Sequence, residues 1–289
     1  MAGVFTLGKT AVLNSAPFFL TAVRLVPAGF LFLAGVYLFD RKNFTFKRKY
    51  WPTFAGIALF YFGMDSFRFV ALQFIPSSHG ALIACLSPFI AALMATFFFK
   101  EKFTTKKMFA LCLGFIGVLP LIISNLGNGV ENNSCLLLIV GYIIMFIAVI
   151  SAVTGTFFLK KLIDVDKCSI YMSLGVALFF AGLISLIVSL LFETWNPIPV
   201  TDIATVLPII LFLFITHNLI SQPLYGYLVK KYPVTLITFA TLVTPVTTSA
   251  LGFFLYGTNI GYPFGFALIT LIIAFSIFYR QEDKEGLIH

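Results

Sequence analysis

The sequence predicts an all-α membrane protein of ten transmembrane helices, arranged as two inverted repeats of five. Three observations carry that expectation. The 289 residues are 60% hydrophobic and only 10% charged, with a mean hydropathy of +1.02. The apolar residues fall into ten runs, most of them near the ~20 residues that a helix needs to cross a bilayer. Finally, the stretch PSSHGALIACLSPFIAALMATFFFKE, residues 76–101, recurs in weaker form 157 positions later as PVTLITFATLVTPVTTSALGFFLYG, from residue 233.

In both copies a proline opens an apolar run and a second follows 12 residues on: Pro76 and Pro88, then Pro233 and Pro245. A proline in the first helical turn wastes no hydrogen bond, whereas one 12 residues in removes a donor and bends the helix. At ~1.5 Å per residue the inner proline sits ~18 Å along the helix, close to mid-membrane. The carbonyls freed there are those of Ala84 and Thr241. Backbone broken at that depth is tolerated only where it is buried in protein or lines a water-filled cavity.

Taken in order, the spans are residues 2–14, 16–39, 51–72, 77–99, 106–124, 135–159, 169–192, 204–228, 234–256 and 262–279. The first is only ~20 Å long by helical rise, so it is expected to be distorted or to begin upstream of Met1. Basic residues set the orientation, because Lys and Arg are retained on the cytoplasmic side. Of the 19 basic residues, 16 fall in residues 40–50, the three loops after spans four, six and eight, and the tail, all on one face. Residues 14–16, 73–76, 125–134, 193–202 and 256–261, on the other face, hold none. Both termini are therefore expected in the cytoplasm. Five spans per half is an odd number, which inverts the second half relative to the first, as in many secondary transporters with a midplane site. The chain thus divides into a first repeat (1–124), an external linker (125–134), a second repeat (135–280) and a cytoplasmic tail (281–289).

The net charge of +8 is accounted for by orientation, and a nucleic-acid partner is set aside. Cys85, Cys112, Cys135 and Cys168 form no CxxC pair, so neither a disulfide framework nor a metal site is indicated. No cofactor motif is present, and the expected partners are the lipid bilayer and a small-molecule substrate. The 36 Phe and 11 Tyr read most simply as lipid-facing bulk.

An ionisable group at mid-membrane costs about 2.5 to 3.5 kcal/mol on insertion scales and is a functional candidate by default. Asp65 is the one acidic residue placed inside a span, and Tyr61, Asp65 and Arg68 lie at i, i+4 and i+7 on one helical face. Three readings stand: a receptor for an ammonium group or coupling proton, an intrahelical Asp65–Arg68 pair that merely neutralises two charges, or Arg68 snorkelling to the outer surface with Asp65 following it. Lys9 and Arg24 are candidates to hold a substrate carboxylate. Span eight carries His217, Asn218, Ser221, Gln222 and Tyr225 around a helix-breaking Pro223, with His217, Ser221 and Tyr225 at i, i+4 and i+8. These form a candidate cavity wall. His79 and Ser77 read as caps at the mouth of span four, and Glu101 as a charge favoured by the next helix's dipole.

The chain resembles the drug/metabolite transporter superfamily, in particular its EamA-like members. The likeness rests on Gly3, Phe5, Lys9, Pro17, Arg24 and above all ALQFIPSSHGALIACLSPFIAALMATFFFKEKFT. Family members typically carry more residues before the Gly3 position, which implies a start upstream. The second half departs from the pattern, with Thr258 at the position matching Glu101. The resemblance implies a ten-helix exporter or exchanger of small organic solutes with a central cavity, in the bacterial inner membrane. FRFVALQFIPSSHGALIACLSPF and LYGYLVKKYP are closer to the S-adenosylmethionine carriers of obligate intracellular bacteria than to ordinary amino-acid exporters. S-adenosylmethionine, exchanged for S-adenosylhomocysteine, is accordingly the expected solute, with a general amino-acid or drug exporter as the alternative. A membrane enzyme would need a GxSxG, an HExxH or clustered carboxylates, and a channel a ring of pore charges. The sequence has none of these.

Overall fold

The computed structural model describes residues 2–44, 48–99, 104–126, 135–247, 250 and 262–284. Twelve helices are named among them: α1 (Ala2–Leu13), α2 (Pro17–Phe39), α3 (Trp51–Phe74), α4 (Ser77–Ala84), α5 (Ser87–Phe99), α6 (Thr105–Leu126), α7 (Cys135–Asp164), α8 (Ile170–Phe192), α9 (Ile203–Leu213), α10 (Gln222–Lys231), α11 (Val234–Phe239) and α12 (Tyr262–Lys284). No strand occurs among the described residues; one antiparallel bridge joins Ser15 to Val200. Five segments are long and apolar enough to cross a membrane (Pro17–Phe39, Arg48–Phe74, Leu136–Asp164, Ile170–Phe192 and Ile203–Lys231), and shorter apolar helices accompany them. Glu101, Thr258, the outer loop at 256–261 and nearly all of the linker lie outside the described residues.

Helix ends follow from local chemistry. α2 opens with Pro17 at its first turn, and its N-cap residue, Ala16, has no side chain that can cap it. Glu193, 175 residues away, supplies the missing acceptor, taking the Phe18 and Phe19 N–H groups at 2.7 and 2.9 Å. α8 is capped by Ser169 and α9 by Asp202. α4 and α11 start directly after the extended Pro76 and Pro233.

The expected distortions at Pro88 and Pro245 are both present, as interruptions ahead of each proline. Between α4 and α5 the helix lapses into a turn at Cys85 and Leu86. After α11 it tightens into a 3₁₀ turn, Ala240–Val243, and resumes as α-helix at 244–247. The two broken helices face each other: α5 packs on α11, and the Ser87 and Thr241 hydroxyls are hydrogen-bonded at 2.8 Å.

The most extensive helix contacts are α2 on α8, α3 on α7, and α6 on α12. α2 and α8 meet almost backbone to backbone. A Cβ built on Gly29 would fall 2.2 Å from the Phe179 nitrogen, and one on Gly182 2.7 Å from that of Val26. Small residues that let helices approach this closely replace the hydrophobic driving force that lipid removes. Outward, large apolar side chains such as Phe30, Ile143, Ile187 and Ile272 stand exposed, as expected of a bundle solvated by acyl chains.

Candidate functional site

Three charged side chains converge inside the bundle. Asp65 and Arg24 are 0% exposed and Arg68 7%. Arg68, one turn beyond Asp65 on α3, donates Nη1–H to Asp65 Oδ1 at 3.2 Å. Arg24, from α2, brings Nη2 to 4.0 Å from the same oxygen. Each guanidinium also lies over an aromatic face, Arg24 at 4.8 Å from the Phe69 ring centre and Arg68 at 5.6 Å from that of Phe5. The snorkelling reading of Arg68 is therefore corrected: its charge is turned inward, because Asp65 and Phe5 stabilise it there. Two cations share one carboxylate, leaving a buried surplus of about one positive charge, which favours an anionic group nearby.

Arg68 also lines a central cavity, together with Tyr61, Gln222 and Tyr225. Ala84 and Thr241, each four residues before an inner proline, both stand on its wall, beside Ser87 and Thr244, although the Thr241 carbonyl is not left free, since it accepts the Thr244 N–H. The broken backbone thus lies where water can reach it. The cavity's volume is about 70 Å³ counted over the positions that a water centre can take. That is room for a handful of waters and too little for a nucleoside, so loading a metabolite requires the walls to part.

Span eight departs from the expected spacing. Phe214–Ser221 is a π-turn, in which the Gln222 N–H reaches back to the His217 carbonyl. Pro223 does not break the helix here; lacking an N–H, it sits second in the first turn of α10, after the turn has widened. The wider turn undoes the i, i+4, i+8 register. Ser221 is turned onto its own backbone, donating to the Thr216 carbonyl at 2.8 Å. His217, Asn218 and Gln222 are the buried ones, and Tyr225 is tied to the Thr156 hydroxyl at 2.9 Å. Phe69 and Thr156 were not singled out from sequence, and Phe5 only as part of the family likeness and not as an aromatic seat; no periodicity marks residues that meet only in the folded bundle.

Lys9 is not at the cavity. Its ammonium donates to the Leu72 and Ile75 carbonyls at 2.5 and 3.2 Å, closing the C-terminal end of α3. Lys160 does the same for α10, donating to the Val229 and Tyr232 carbonyls at 3.0 and 3.1 Å. Lys9→Met is expected to lower stability by about 2 kcal/mol, as for lost charged hydrogen bonds, while leaving the KM for solute within about twofold. Melting temperature and flux measured together check this; a raised KM at unchanged stability would return Lys9 to the site. His79 is likewise no cap, since α4 has no side-chain cap and His79 Nδ1 pairs with the Tyr142 hydroxyl at 2.6 Å.

The family model of the EamA-like transporter family matches residues 1–123 and 139–280. A protein of Chlamydia muridarum named S-adenosylmethionine/S-adenosylhomocysteine transporter is 28% identical over 98% of this chain and 89% of its own length. A namesake from Chlamydia trachomatis is also 28% identical, over 98% of this chain and 87% of its own length. A solved crystal structure, described only as that of a protein, has a TM-score of 0.77 at 17% identity, covering 96% of this chain and 91% of that one, and so supports the fold alone. A helical bundle with an apolar exterior, a polar cavity between broken helices and a family match over nearly its whole length is a multi-pass membrane transporter, and the chain belongs to the EamA-like transporter family.

Proposed function

We propose that the chain is a secondary transporter that carries S-adenosylmethionine across the bacterial inner membrane by alternating access, in exchange for S-adenosylhomocysteine. The observation that carries the reading is the Arg24–Asp65–Arg68 cluster, set beside a cavity whose walls include both broken helices. Tyr61, Tyr225 and Phe5 offer aromatic faces on which a base can stack and a sulfonium can be held. The relatives that bear the transporter name for this pair of solutes align over nearly the whole chain.

Inverted repeats and ten crossings fit the same reading. Lys9 and Lys160 serve carbonyls 157 positions apart, Leu72 and Val229, then Ile75 and Tyr232, each just before the proline that opens a broken helix. A matched pair of hinges at opposite faces is what rocking one half against the other requires. With both termini cytoplasmic, cysteines placed at Asn128 and Thr194 are expected to react with an impermeant reagent from outside, and one at Asn43 to be shielded. The reverse pattern would sink orientation and repeat together.

Counterflow in proteoliposomes tests the function. Labelled S-adenosylmethionine should enter saturably and faster when S-adenosylhomocysteine is loaded inside. Inhibition by simple amino acids, with none by S-adenosylhomocysteine, would indicate the general amino-acid exporter instead; flux that neither saturates nor exchanges would indicate a channel.

A further inference from the structure

We propose that Arg24, His217 and Asn218 form an anion subsite behind the open cavity that takes the carboxylate of an α-amino acid, with Asp65 placed for the adjoining ammonium group. The inference rests on the transporter reading above and deepens it.

The three residues share an uncommon property. Arg24, His217 and Asn218 are 0%, 3% and 0% exposed, yet every side-chain nitrogen and oxygen they carry is buried without a hydrogen-bond partner. Buried polar atoms are paired in the great majority of cases, so three side chains without a hydrogen bond, only Arg24 among them with an ion-pair contact, to Asp65 at 4.0 Å, call for a reason. They sit on touching elements: α2, which carries Arg24, packs on the π-turn that carries His217 and Asn218.

None of the three lines the cavity, whereas Arg68 does. Arg68 is also bonded to Asp65, the carboxylate that Arg24 approaches from α2, so it joins the cavity to that buried cluster. An anion drawn to Arg68 is then one carboxylate away from Arg24.

The donor set matches a carboxylate. A guanidinium presents a planar fork that fits both oxygens. The Asn218 amide adds two N–H groups and a neutral His217 one. Asp65 Oδ2 is unpartnered as well, and it and the Asn218 carbonyl oxygen are acceptors for an ammonium on the next carbon. A purely structural Arg24–Asp65 contact accounts for none of the unpaired atoms on the π-turn.

The test compares acids with their methyl esters. The purified full chain is titrated, by thermal shift, with S-adenosylhomocysteine, methionine and phenylalanine, and with the carboxyl methyl ester of each. At least one acid is expected to bind about thirtyfold better than its ester, the scale of one or two charge-assisted hydrogen bonds. Arg24→Gln should erase most of that preference. Asn218→Leu, which has no charge to unbalance, should cut it about tenfold while raising the melting temperature of the ligand-free protein, because it removes two unpaired buried atoms. If Arg24→Gln does not fold, Asn218→Leu decides. An acid preference unchanged in Asn218→Leu, or no acid preferred in the wild type, overturns the subsite. An Arg24- and Asn218-dependent preference for methionine or phenylalanine, with no binding of S-adenosylhomocysteine, upholds the subsite while overturning the solute assignment.

Discussion

Asp65→Asn is expected to abolish transport and to lower stability by about 3 to 5 kcal/mol, the usual consequence of removing one partner from a buried ion pair. The reason is charge balance. Arg24 and Arg68 both point at Asp65 Oδ1, and a neutral amide would leave two guanidinium groups facing each other at membrane depth. Flux per folded molecule should also be lost, because the two guanidinium groups, no longer held by a common carboxylate, would repel each other and leave their places at the cavity. The double variant Asp65→Asn with Arg68→Gln restores the original surplus of one charge. It should recover about 1 to 3 kcal/mol of the lost stability, the range of coupling between residues in contact, without recovering flux. Recovery of both would make the cluster a structural device and remove it from the substrate path. Glu101→Gln at equal expression should transport more than Asp65→Asn; equal losses would mean that the cavity is misplaced.

Gly29→Ala is expected to be the most damaging single methyl among the described glycines. The added carbon would lie 2.2 Å from the Phe179 nitrogen and 2.5 Å from its Cα. Both are main-chain atoms of α8, so no side chain can swing away and the helices themselves must separate. Overpacking typically costs about 1 to 3 kcal/mol, and the upper end is expected where backbone is the obstacle. Gly35→Ala is the control on the same helix: nothing lies within 4 Å of its Cβ, and the change should be neutral or stabilising by up to about 1 kcal/mol through helix propensity. Melting temperatures of the two purified variants decide; similar values would mean that α2 and α8 do not cross as closely as described.

Helices were legible in the sequence because lipid imposes a single crude requirement, an apolar run of sufficient length, and runs such as residues 16–39 and 169–192 meet it within a residue or two of α2 and α8. The interruptions near Pro88 and Pro245 were legible for an equally local reason, since a missing N–H acts within one turn. The site was readable only where its chemistry is local. Asp65 and Arg68, three residues apart, could be paired from spacing alone. The approach of Arg24 could not, because it depends on how α2 lies against α3. Lys9 was drawn into the site because an ammonium at membrane depth suggests a ligand; the carbonyls that engage it belong to a helix end more than sixty positions away. The register of span eight failed because a uniform 3.6-residue period was applied across a segment whose turns are wider than that.

That wider segment bears on how such a carrier can change over generations. A π-turn is one residue longer than the α-helical stretch that could replace it, so loss of a single codon within Phe214–Ser221 would let the helix close to regular geometry. The wide turn is what absorbs that residue, so α10 beyond it would keep its present facing, with Gln222 and Tyr225 still on the cavity wall. The same loss within the regular turns of α10 would instead rotate all that follows by about 100° about the helix axis. A one-residue change in length is therefore tolerable at the wide turn and disruptive a few positions later, which confines the steps in length open to this lineage to that one segment.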